Sequence, residues 1–308
     1  MLKSLSIRLV APSGYCQHQD AATRAIMRLS QQHRLENTEI IQRREQRFAG
    51  SDTERLNDIN QLVELVSLPD IILAVRGGYG VSRLLDQINY AGLQSTFNGQ
   101  PTIFCGHSDF TALQLALLSQ SELITFSGPM LAGNFGAETL SSFTENHFWQ
   151  LLKQQHYTIN WQDTQVMNGC WQGQLWGGNL AMICSLIGTP WLPKVTDGIL
   201  VIEDINESAF RVERMLLQLY HAGILGQQKA VITGSFSHSS PNAYDQGYQL
   251  ATVWEYMQHK TGVPFINHLD YGHEPDTVTL PIGAQATLIA QEKQRQLQLS
   301  GYPSLCNN

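Results

Sequence analysis

One serine in this chain lies in a pattern that suits covalent catalysis. Ser108 stands in the segment GHSD (106–109), directly after the apolar run TIFC (102–105). A serine on a sharp turn between a strand and a helix exposes its hydroxyl, and the backbone N–H of Asp109 can then stabilise an oxyanion. Phe110 occupies the place of the last glycine in the nucleophile motif G-x-S-x-G. The structural alternative is that Ser108 only caps the following helix.

A glycine-rich loop follows another apolar run and could face the same substrate. The run IILAV (71–75) is followed by the loop RGGYG (76–80). Glycines allow positive φ and a close approach of the backbone to a ligand, so Gly78 could supply a second oxyanion donor. Arg76 is the cation nearest to this glycine loop in the sequence. The structural alternatives are a tight turn without chemistry and an arginine that pairs with the second domain.

A serine nucleophile needs a general base, and the best-placed histidine is His273. It lies in the segment YGHEP (271–275), a turn-rich loop before VTLPIG (278–283). His107 adjoins the serine, but the side chains of neighbouring residues on a tight turn point apart. We therefore rank His107 below His273.

The base in turn needs a carboxylate to orient it, and Glu203 is the first candidate. It directly follows the apolar run GILVI (198–202), and the carboxyl end of a buried strand faces the crevice where ligands bind. Asp204 and Glu207 lie in the same segment. These two acids can instead cap or complement the following helix.

These residues need a scaffold, and the first half of the chain predicts a parallel sheet with helices on both faces. Short apolar runs alternate there with amphipathic stretches, which is typical of α/β folds. The predicted strands are 6–12, 38–42, 71–75 and 102–105, and the predicted helices are 21–32, with Asp20 as its cap, and 52–66, with an apolar stripe that ends at Val66. Because the carboxyl ends of parallel strands share one edge, both glycine turns should face one crevice.

The second half differs in composition and predicts a smaller, β-rich domain. Residues near 154–175 are polar and rich in Gln, Trp and Gly, and predict a linker or an edge hairpin. Beyond them we predict strands at 199–202 and 230–233, a helix at 209–221, and β-structure in 278–290 and 295–301. We therefore place a parallel-sheet domain with the nucleophile at 1–155, and a β-rich domain with Glu203 and His273 at 170–308.

Composition and charge narrow the functional class. The chain has 308 residues, 43% of them hydrophobic, and a net charge of −7, so it predicts no affinity for nucleic acid or for an anionic membrane. Its five cysteines are scattered and none forms C-x-x-C, which predicts reduced thiols in a cytoplasmic protein. Arg83 occupies the third glycine position of a dinucleotide fingerprint, and Thr277 the second histidine position of a zinc motif. We expect neither a metal nor an organic cofactor.

Seven separated segments resemble the murein tetrapeptide LD-carboxypeptidase family. They occur in the family's order and are AVRGGYG (74–80), CGHSDF (105–110), TFSGPM (125–130), LWGGNLAMICSLIGTPWLP (175–193), IEDINE (202–207), RVERMLLQLYHAGIL (211–225) and GHEPDTVTLPIGA (272–284). The family's triad of serine, glutamate and histidine falls on Ser108, Glu203 and His273.

The resemblance implies a cytoplasmic serine peptidase of cell-wall recycling. Such an enzyme hydrolyses the LD peptide bond that joins the terminal D-Ala to the L-centre of meso-diaminopimelate in murein tetrapeptide. A carboxypeptidase must also recognise the free terminal carboxylate of its substrate, and the guanidinium group of Arg76 could bind it. The family also implies a homodimer, and a flavodoxin-like parallel-sheet domain followed by a β-rich domain.

Two other functions fit the same residues. One is a microcin-type immunity peptidase, which would cut a peptide–nucleotide conjugate with the same triad and would need an aromatic platform for the base. The other is a non-enzymatic module that binds a small anion or nucleotide with its glycine loops. No single residue identifies an aromatic platform. Tyr79, Trp176 and Trp191 are candidates for the lining of a pocket, but aromatic residues beside glycines are more often part of the core.

Overall fold

A computed structural model describes residues 4–306 as a mixed α/β structure with two sheets. The strands of the described residues are β1 (Ser6–Val10), β2 (Arg34–Glu36), β3 (Ile71–Ala74), β4 (Ile103–Gly106), β5 (Thr125–Ser127), β6 (His156–Gln162), β7 (Gly169–Asn179), β8 (Ile199–Ile205), β9 (Ala230–Ser237), β10 (Phe265–Ile266), β11 (Leu280–Ile282), β12 (Gln285–Gln291) and β13 (Gln294–Ser300). The α-helices are α1 (Gln19–Ser30), α2 (Asp52–Asn60), α3 (Tyr90–Phe97), α4 (Phe110–Ser121), α5 (Ser142–Leu152), α6 (Leu180–Ser185), α7 (Ala209–His221) and α8 (Leu250–Thr261).

The first sheet is the predicted parallel sheet, with one strand added from the second half of the chain. Its order is β11-β5-β4-β3-β1-β2. The five strands from β1 to β5 are parallel, and their order 2-1-3-4-5 is that of flavodoxin-like sheets. Strand β11 pairs with β5 antiparallel, with Leu280 opposite Ser127. The carboxyl ends of β3 and β4 therefore lie side by side, and each leads into one of the two glycine turns.

The second sheet contains seven strands and is mixed. Its order is β10-β9-β8-β7-β12-β13-β6. The strands from β10 to β7 are parallel, whereas β12, β13 and β6 continue the sheet in antiparallel pairs. Strand β8 lies between β9 and β7 and is buried along almost its whole length. It brings Glu203 to its carboxyl end.

The prediction of a strand at 38–42 is wrong, because these residues form a 3-10 turn (Thr38–Gln42). The second strand is β2, which precedes it. Asn37 ends that strand with a left-handed backbone at φ 63°, and its side-chain amide donates to the carbonyl of Leu9 at 2.9 Å. A left-handed residue turns the chain out of the extended path.

Two helix ends also differ from the prediction. Helix α1 begins at Gln19, so Asp20 lies in its first turn and does not cap it. Helix α2 starts at a capping box formed by Ser51 and Glu54, but ends at Asn60 and tightens into a 3-10 turn. The apolar stripe therefore stops before Val66, whose side chain is fully exposed.

The segment near 154–175 contains two strands that do not form a hairpin with each other. Strand β6 pairs with β13 at the sheet's edge, as expected for an edge strand, and β7 lies in the middle of the sheet. The hairpin of β12 and β13 inserts between them. The connection between β6 and β7 is anchored by the buried carboxylate of Asp163. This carboxylate accepts from Asn267 N at 3.0 Å and lies 3.4 Å from the buried Arg295.

No helix within residues 4–306 combines the length and the apolar character that crossing a membrane requires.

Candidate active site

The turn between β4 and α4 presents Ser108 in a strained backbone conformation. Its φ is +63°, a left-handed value that few residues other than glycine adopt. Two backbone bonds close the turn, from Phe110 N to His107 O at 3.2 Å and from Thr111 N to Ser108 O at 2.9 Å. Asp109 holds the cap position of α4, and no side chain caps this helix, so the capping alternative for Ser108 does not hold.

The glycine loop packs directly against this turn. A Cβ atom on Gly77 would lie 2.7 Å from Cβ and 2.8 Å from Oγ of Ser108, so only glycine fits there. Gly78 has a φ of +106°. Both turns border one pocket of about 550 Å³, which agrees with the predicted single crevice. In the part of the chain that the structure describes, the N–H groups of Gly78 and Asp109 donate to no protein acceptor.

His273 enters the same pocket and is bonded to Glu203. The distance from Nδ1 of His273 to Oε2 of Glu203 is 2.7 Å. Because an ionised carboxylate only accepts, Nδ1 carries the proton and Nε2 keeps its lone pair. Glu203 is 1% exposed, and its second oxygen, Oε1, has no partner among the described residues.

The charge of Glu203 determines the protonation behaviour of His273. Burial alone disfavours the imidazolium ion, but the hydrogen bond and negative charge of Glu203 outweigh it. The pKa of His273 therefore lies above its ordinary value of 6.5. His273 can therefore act as a base, because Glu203 stabilises the imidazolium ion that forms when His273 accepts a proton.

A glycine lets the histidine loop pass beside the carboxylate. Gly272 has a φ of +137°, and a Cβ atom there would lie 2.5 Å from Oγ of Ser235 and 3.1 Å from Oε2 of Glu203. The backbone N–H of Gly272 donates to Oγ1 of Thr277 at 3.1 Å. The loop can therefore reach Glu203 only with glycine at this position.

His107, the lower-ranked base, is held in a different role. Its Nδ1 donates to the carbonyl of Gly128 at 2.9 Å, and burial lowers its pKa to about 4. The ring meets that of His273 edge to face, with centroids 5.1 Å apart. His107 is thus a neutral neighbour of His273 and has no bond to a carboxylate.

The two other acids of the segment support helices, but only Glu207 serves the following helix as predicted. The carboxylate of Asp204 accepts from the side chain of Asn179 and from Ala181 N, both at 2.9 Å, and so serves the start of α6, which precedes it in the chain. Burial raises the pKa of Asp204 to about 6. Glu207 pairs with Arg211 at 3.7 Å, one turn along on α7. Neither acid bonds to His273.

Arg76 borders the pocket and is half-buried. Its Nη1 donates to the carbonyl of Tyr15 at 3.0 Å. Among residues 4–306 no carboxylate lies within ion-pair distance of its guanidinium group, so the predicted alternative of a pairing with the second domain is not found.

The opposite wall of the pocket was missed by sequence reasoning. It consists of the start of α1 and the segment 129–145, which contains a single π-helical turn (Leu131–Phe135). Arg24 and Glu145 are its charged residues, and Nε of Arg24 donates to Gly136 O at 2.9 Å. Only Pro129 and Met130 of this wall lie in one of the seven segments named above, because packing between distant segments defines the rest of it.

The predicted aromatic lining is wrong. Trp176 is fully buried and donates to Gln228 at 2.8 Å, and neither Tyr79 nor Trp191 borders the pocket. Phe135 borders it instead, packed against Phe148 with ring centroids 5.6 Å apart. Over the described residues, no group of three or more His, Cys, Asp or Glu side chains is arranged to hold a metal ion.

Comparison with known proteins identifies both halves of the chain. A family model described as the LD-carboxypeptidase N-terminal domain matches residues 7–128, and one described as the LD-carboxypeptidase C-terminal domain matches residues 172–288. A probable murein peptide carboxypeptidase of Bacillus subtilis is 31% identical over 249 residues, which cover 80% of this chain and 76% of that protein. The microcin C7 self-immunity protein MccF of Escherichia coli is 28% identical over 273 residues, covering 78% and 76%.

Solved structures agree with these matches. The crystal structure of muramoyltetrapeptide carboxypeptidase from Oxalobacter formigenes has a TM-score of 0.90 and 38% identity, and the match covers 97% of this chain and 100% of that one. MccF in complex with glutamyl sulfamoyl guanosine has a TM-score of 0.85 at 21% identity, covering 99% and 98%, a likeness of fold alone. With both domain models matched in order over one α/β architecture, the chain belongs to the LD-carboxypeptidase family of peptidases.

Proposed function

We propose that this protein is a serine carboxypeptidase that hydrolyses an LD peptide bond and releases the terminal D-Ala of murein tetrapeptide. The observation that carries the proposal is the 2.7 Å bond between His273 and Glu203 in the pocket that also contains the left-handed Ser108. The names of the relatives from Bacillus subtilis and Oxalobacter formigenes support the substrate.

The proposed reaction is acyl transfer in two steps. Nε2 of His273 takes the proton of the Ser108 hydroxyl as Oγ attacks the carbonyl carbon that precedes D-Ala. The C–N bond then breaks, and His273 gives the proton to the leaving amine of D-Ala. Water enters, loses a proton to His273 and attacks the ester, which releases the shortened peptide and restores the serine. Glu203 stabilises the imidazolium ion in both steps.

Two backbone donors are proposed to stabilise the oxyanion. The N–H groups of Gly78 and Asp109 are the candidates, and the lack of protein acceptors for both is what such donors require. The two N–H groups come from different loops, each at the carboxyl end of a parallel strand. The negative charge that develops on the carbonyl oxygen would lie between them.

Arg76 is the proposed binding residue for the terminal carboxylate of the substrate. Its position on the pocket wall and its unpaired charge support this role. A carboxypeptidase must distinguish a free chain end from an internal peptide bond, and a guanidinium group can bind the two carboxylate oxygens together. Cytoplasmic murein recycling and a homodimeric assembly belong to the same proposal.

Cleavage of a peptide–nucleotide conjugate is the second candidate, because MccF is among the relatives. A nucleobase needs an exposed aromatic face for stacking. Phe135, which borders this pocket, is only 3% exposed and packs against Phe148 and Trp149. The lining described above therefore favours the tetrapeptide.

Product analysis separates the candidates. The purified protein is incubated in parallel with murein tetrapeptide, with its diastereomer that ends in L-Ala, and with aspartyl sulfamoyl adenosine, and the products are identified by mass spectrometry. We expect the loss of one alanine from the natural tetrapeptide only. Cleavage of the nucleotide conjugate with an intact tetrapeptide would favour the immunity function. Binding of tetrapeptide that is unchanged in Ser108→Ala, without turnover by the wild type, would indicate a binding module.

A further inference from the structure

We propose that the side chain of Asp109 is a positioning residue that holds the glycine loop against the nucleophile turn. This inference rests on the proposed oxyanion site, since the two donors of that site lie on these two segments. The Asp109 carboxylate ties them together through Val81, the residue that directly follows the glycine loop 76–80. The backbone of Asp109 would then stabilise the oxyanion, and its side chain would fix the distance to the other donor.

The contact is direct and shielded from water. Oδ2 of Asp109 accepts a hydrogen bond from the backbone N–H of Val81 at 3.0 Å. Both residues are 1% exposed, and they lie 28 positions apart in the chain. A bond between such distant segments joins the carboxyl ends of the neighbouring strands β3 and β4, where the two turns begin.

A second buried residue holds the end of the same loop. Arg55 is fully buried on α2 and donates through Nη1 to Gly80 O at 3.0 Å and also to Pro12 O. Gly14 N further donates to Gly77 O at 3.2 Å. The loop is thus bonded at its start and at its end, and Asp109 provides the bond on the side of the nucleophile.

The carboxylate of Asp109 is poorly explained as a source of stability. Burial raises the pKa of the Asp109 carboxyl, although the Ser13 hydroxyl, the Gly80 N–H and the charge of Arg55 lie near enough to favour its charged form. Its second oxygen, Oδ1, makes no hydrogen bond of normal geometry among the described residues. A buried carboxylate is unfavourable unless its oxygens are bonded, so an apolar side chain of similar size would avoid this penalty. A role in positioning the loop explains why residue 109 has an acidic side chain, because only an acceptor can bind the N–H of Val81.

The two turns are packed so closely that a small displacement of one would change its position relative to the other. Gly77 and Ser108 are in van der Waals contact, and a Cβ atom on Gly77 would also lie 3.4 Å from Asp109 N. Catalytic groups displaced by about 1 Å can lose about 100-fold in rate. Release of the loop should therefore slow the chemical step, and because Arg76 begins the same loop it should also weaken substrate binding.

The test compares Asp109→Ala, Asp109→Asn and a remote control, Asp163→Ala. The rates measured are phosphonylation of Ser108 by a fluorophosphonate and kcat on murein tetrapeptide. In phosphonylation Oγ bonds to phosphorus, fluoride leaves and His273 takes the serine proton. All variants keep the backbone N–H of residue 109. Asparagine also keeps an oxygen that can accept from Val81, whereas alanine does not.

We expect Asp109→Ala to lower both rates by about 100-fold or more, as the loss of an oxyanion donor does. Asp109→Asn should lose only about three- to tenfold, because a neutral amide oxygen is the weaker acceptor. The acidic limb of the pH profile should keep its midpoint, since the His273–Glu203 bond is untouched. Asp163→Ala also removes a buried acceptor of a backbone N–H, but should lower only the melting temperature.

A second variant deletes the same bond from the other side. Val81 is the first residue of a 3-10 turn, where proline is tolerated, so Val81→Pro removes the donor N–H even if Asp109→Ala fails to fold. It should reproduce the loss seen with alanine. A folded Asp109→Ala or Val81→Pro with rates within threefold of wild type would overturn the proposal, as would an asparagine variant as slow as alanine. Phosphonylation needs no tetrapeptide, so a wrong substrate assignment would leave this comparison valid.

Discussion

Ser108, His273 and Glu203 are each fixed by a different local feature of the backbone. The serine is held by the left-handed turn between β4 and α4, with Gly77 packed against it. The glutamate lies on a buried strand, at a register shift between Ile202 and Asp204. The histidine reaches it through a loop that needs glycine at position 272. No two of these features lie in one continuous segment.

If the three side chains act as one catalytic unit, the losses of activity caused by substituting them will not be additive. Ser108→Ala and His273→Ala should each lower kcat/KM by about 10⁴-fold or more, and the double variant should lose little beyond either one. Ser119→Ala on the same helix, whose hydroxyl bonds to Pro190 O outside the pocket, is the control and should retain full activity. Steady-state rates of D-Ala release measure this, and additive losses would show that the residues act separately.

The pH profile should depend on the charge of Glu203. His273 must be neutral to act as a base, and its pKa is raised above 6.5, so activity should fall as the pH drops through that raised value. Glu203→Gln removes the charge that favours the imidazolium ion, so the pKa of His273 falls. The acidic limb of kcat/KM should therefore move to lower pH while the maximum rate decreases.

The control for this experiment is Glu207→Gln. It removes a charge four residues away that pairs with Arg211 and does not bond to the histidine. Its acidic limb should stay where it is in the wild type. An acidic limb that does not move in Glu203→Gln, with chemistry shown to limit the rate, would reject Glu203 as the partner of His273.

At the scale of the elements, the sequence predicted those features that depend on local patterns. The buried strands β3 and β4 are apolar runs followed by glycines, and this pattern correctly placed both turns at one crevice. The prediction failed where distant segments decide the outcome. The 3-10 turn after Asn37 depends on a side-chain bond to Leu9, and the insertion of the β12–β13 hairpin beside β7 has no local signal.

The candidate site also has some residues that local sequence patterns predicted and others that they did not. Ser108, His273 and Glu203 could be named because they follow strand ends or lie in a glycine-rich loop. The wall formed by α1 and the segment 129–145 could not, because close packing, and no motif, brings these parts together. The contact of Asp204 with the start of α6 also depends on a neighbour, Asn179, that lies on another strand.

The loop that carries His273 gives a prediction about glycine. Gly272→Ala forces a Cβ atom into Ser235 and Glu203 at a φ of +137°, so it should displace the carboxylate, abolish most activity and destabilise the fold by about 2 kcal/mol. Gly262→Ala, at the end of α8, has φ +71° and open space, and should destabilise by about 1 kcal/mol with normal activity. Denaturant unfolding and kcat/KM measure both, and an active Gly272→Ala would contradict the argument.

On the scale of the whole molecule, the two sheets are tied together at the site. Strand β11 from the second half completes the first sheet beside β5. The hydroxyls of Ser127 and Tyr271 are bonded at 2.7 Å, which anchors the histidine loop to β5. Thr111 on α4 accepts from Asn179 N at 3.1 Å. The parts that carry the serine, the glutamate and the histidine are therefore mechanically connected.

These ties predict that the chain unfolds as one cooperative unit. All six tryptophans lie at position 149 or later, so their fluorescence reports mainly on the second half of the chain, whereas circular dichroism reports on both halves. We expect the two signals to give coincident denaturant transitions that also match the loss of activity. Two separated transitions would show that the halves are stable independently.

The central claim is that Ser108 is the nucleophile of an LD-carboxypeptidase, and titration with a fluorophosphonate tests it most directly. The enzyme is labelled to increasing extents, the site is mapped by tandem mass spectrometry, and the release of D-Ala from murein tetrapeptide is measured in each sample. The account predicts one label per chain on Ser108, protection by tetrapeptide, and activity that falls in proportion to labelling. Full labelling of Ser108 with undiminished release of D-Ala would contradict it.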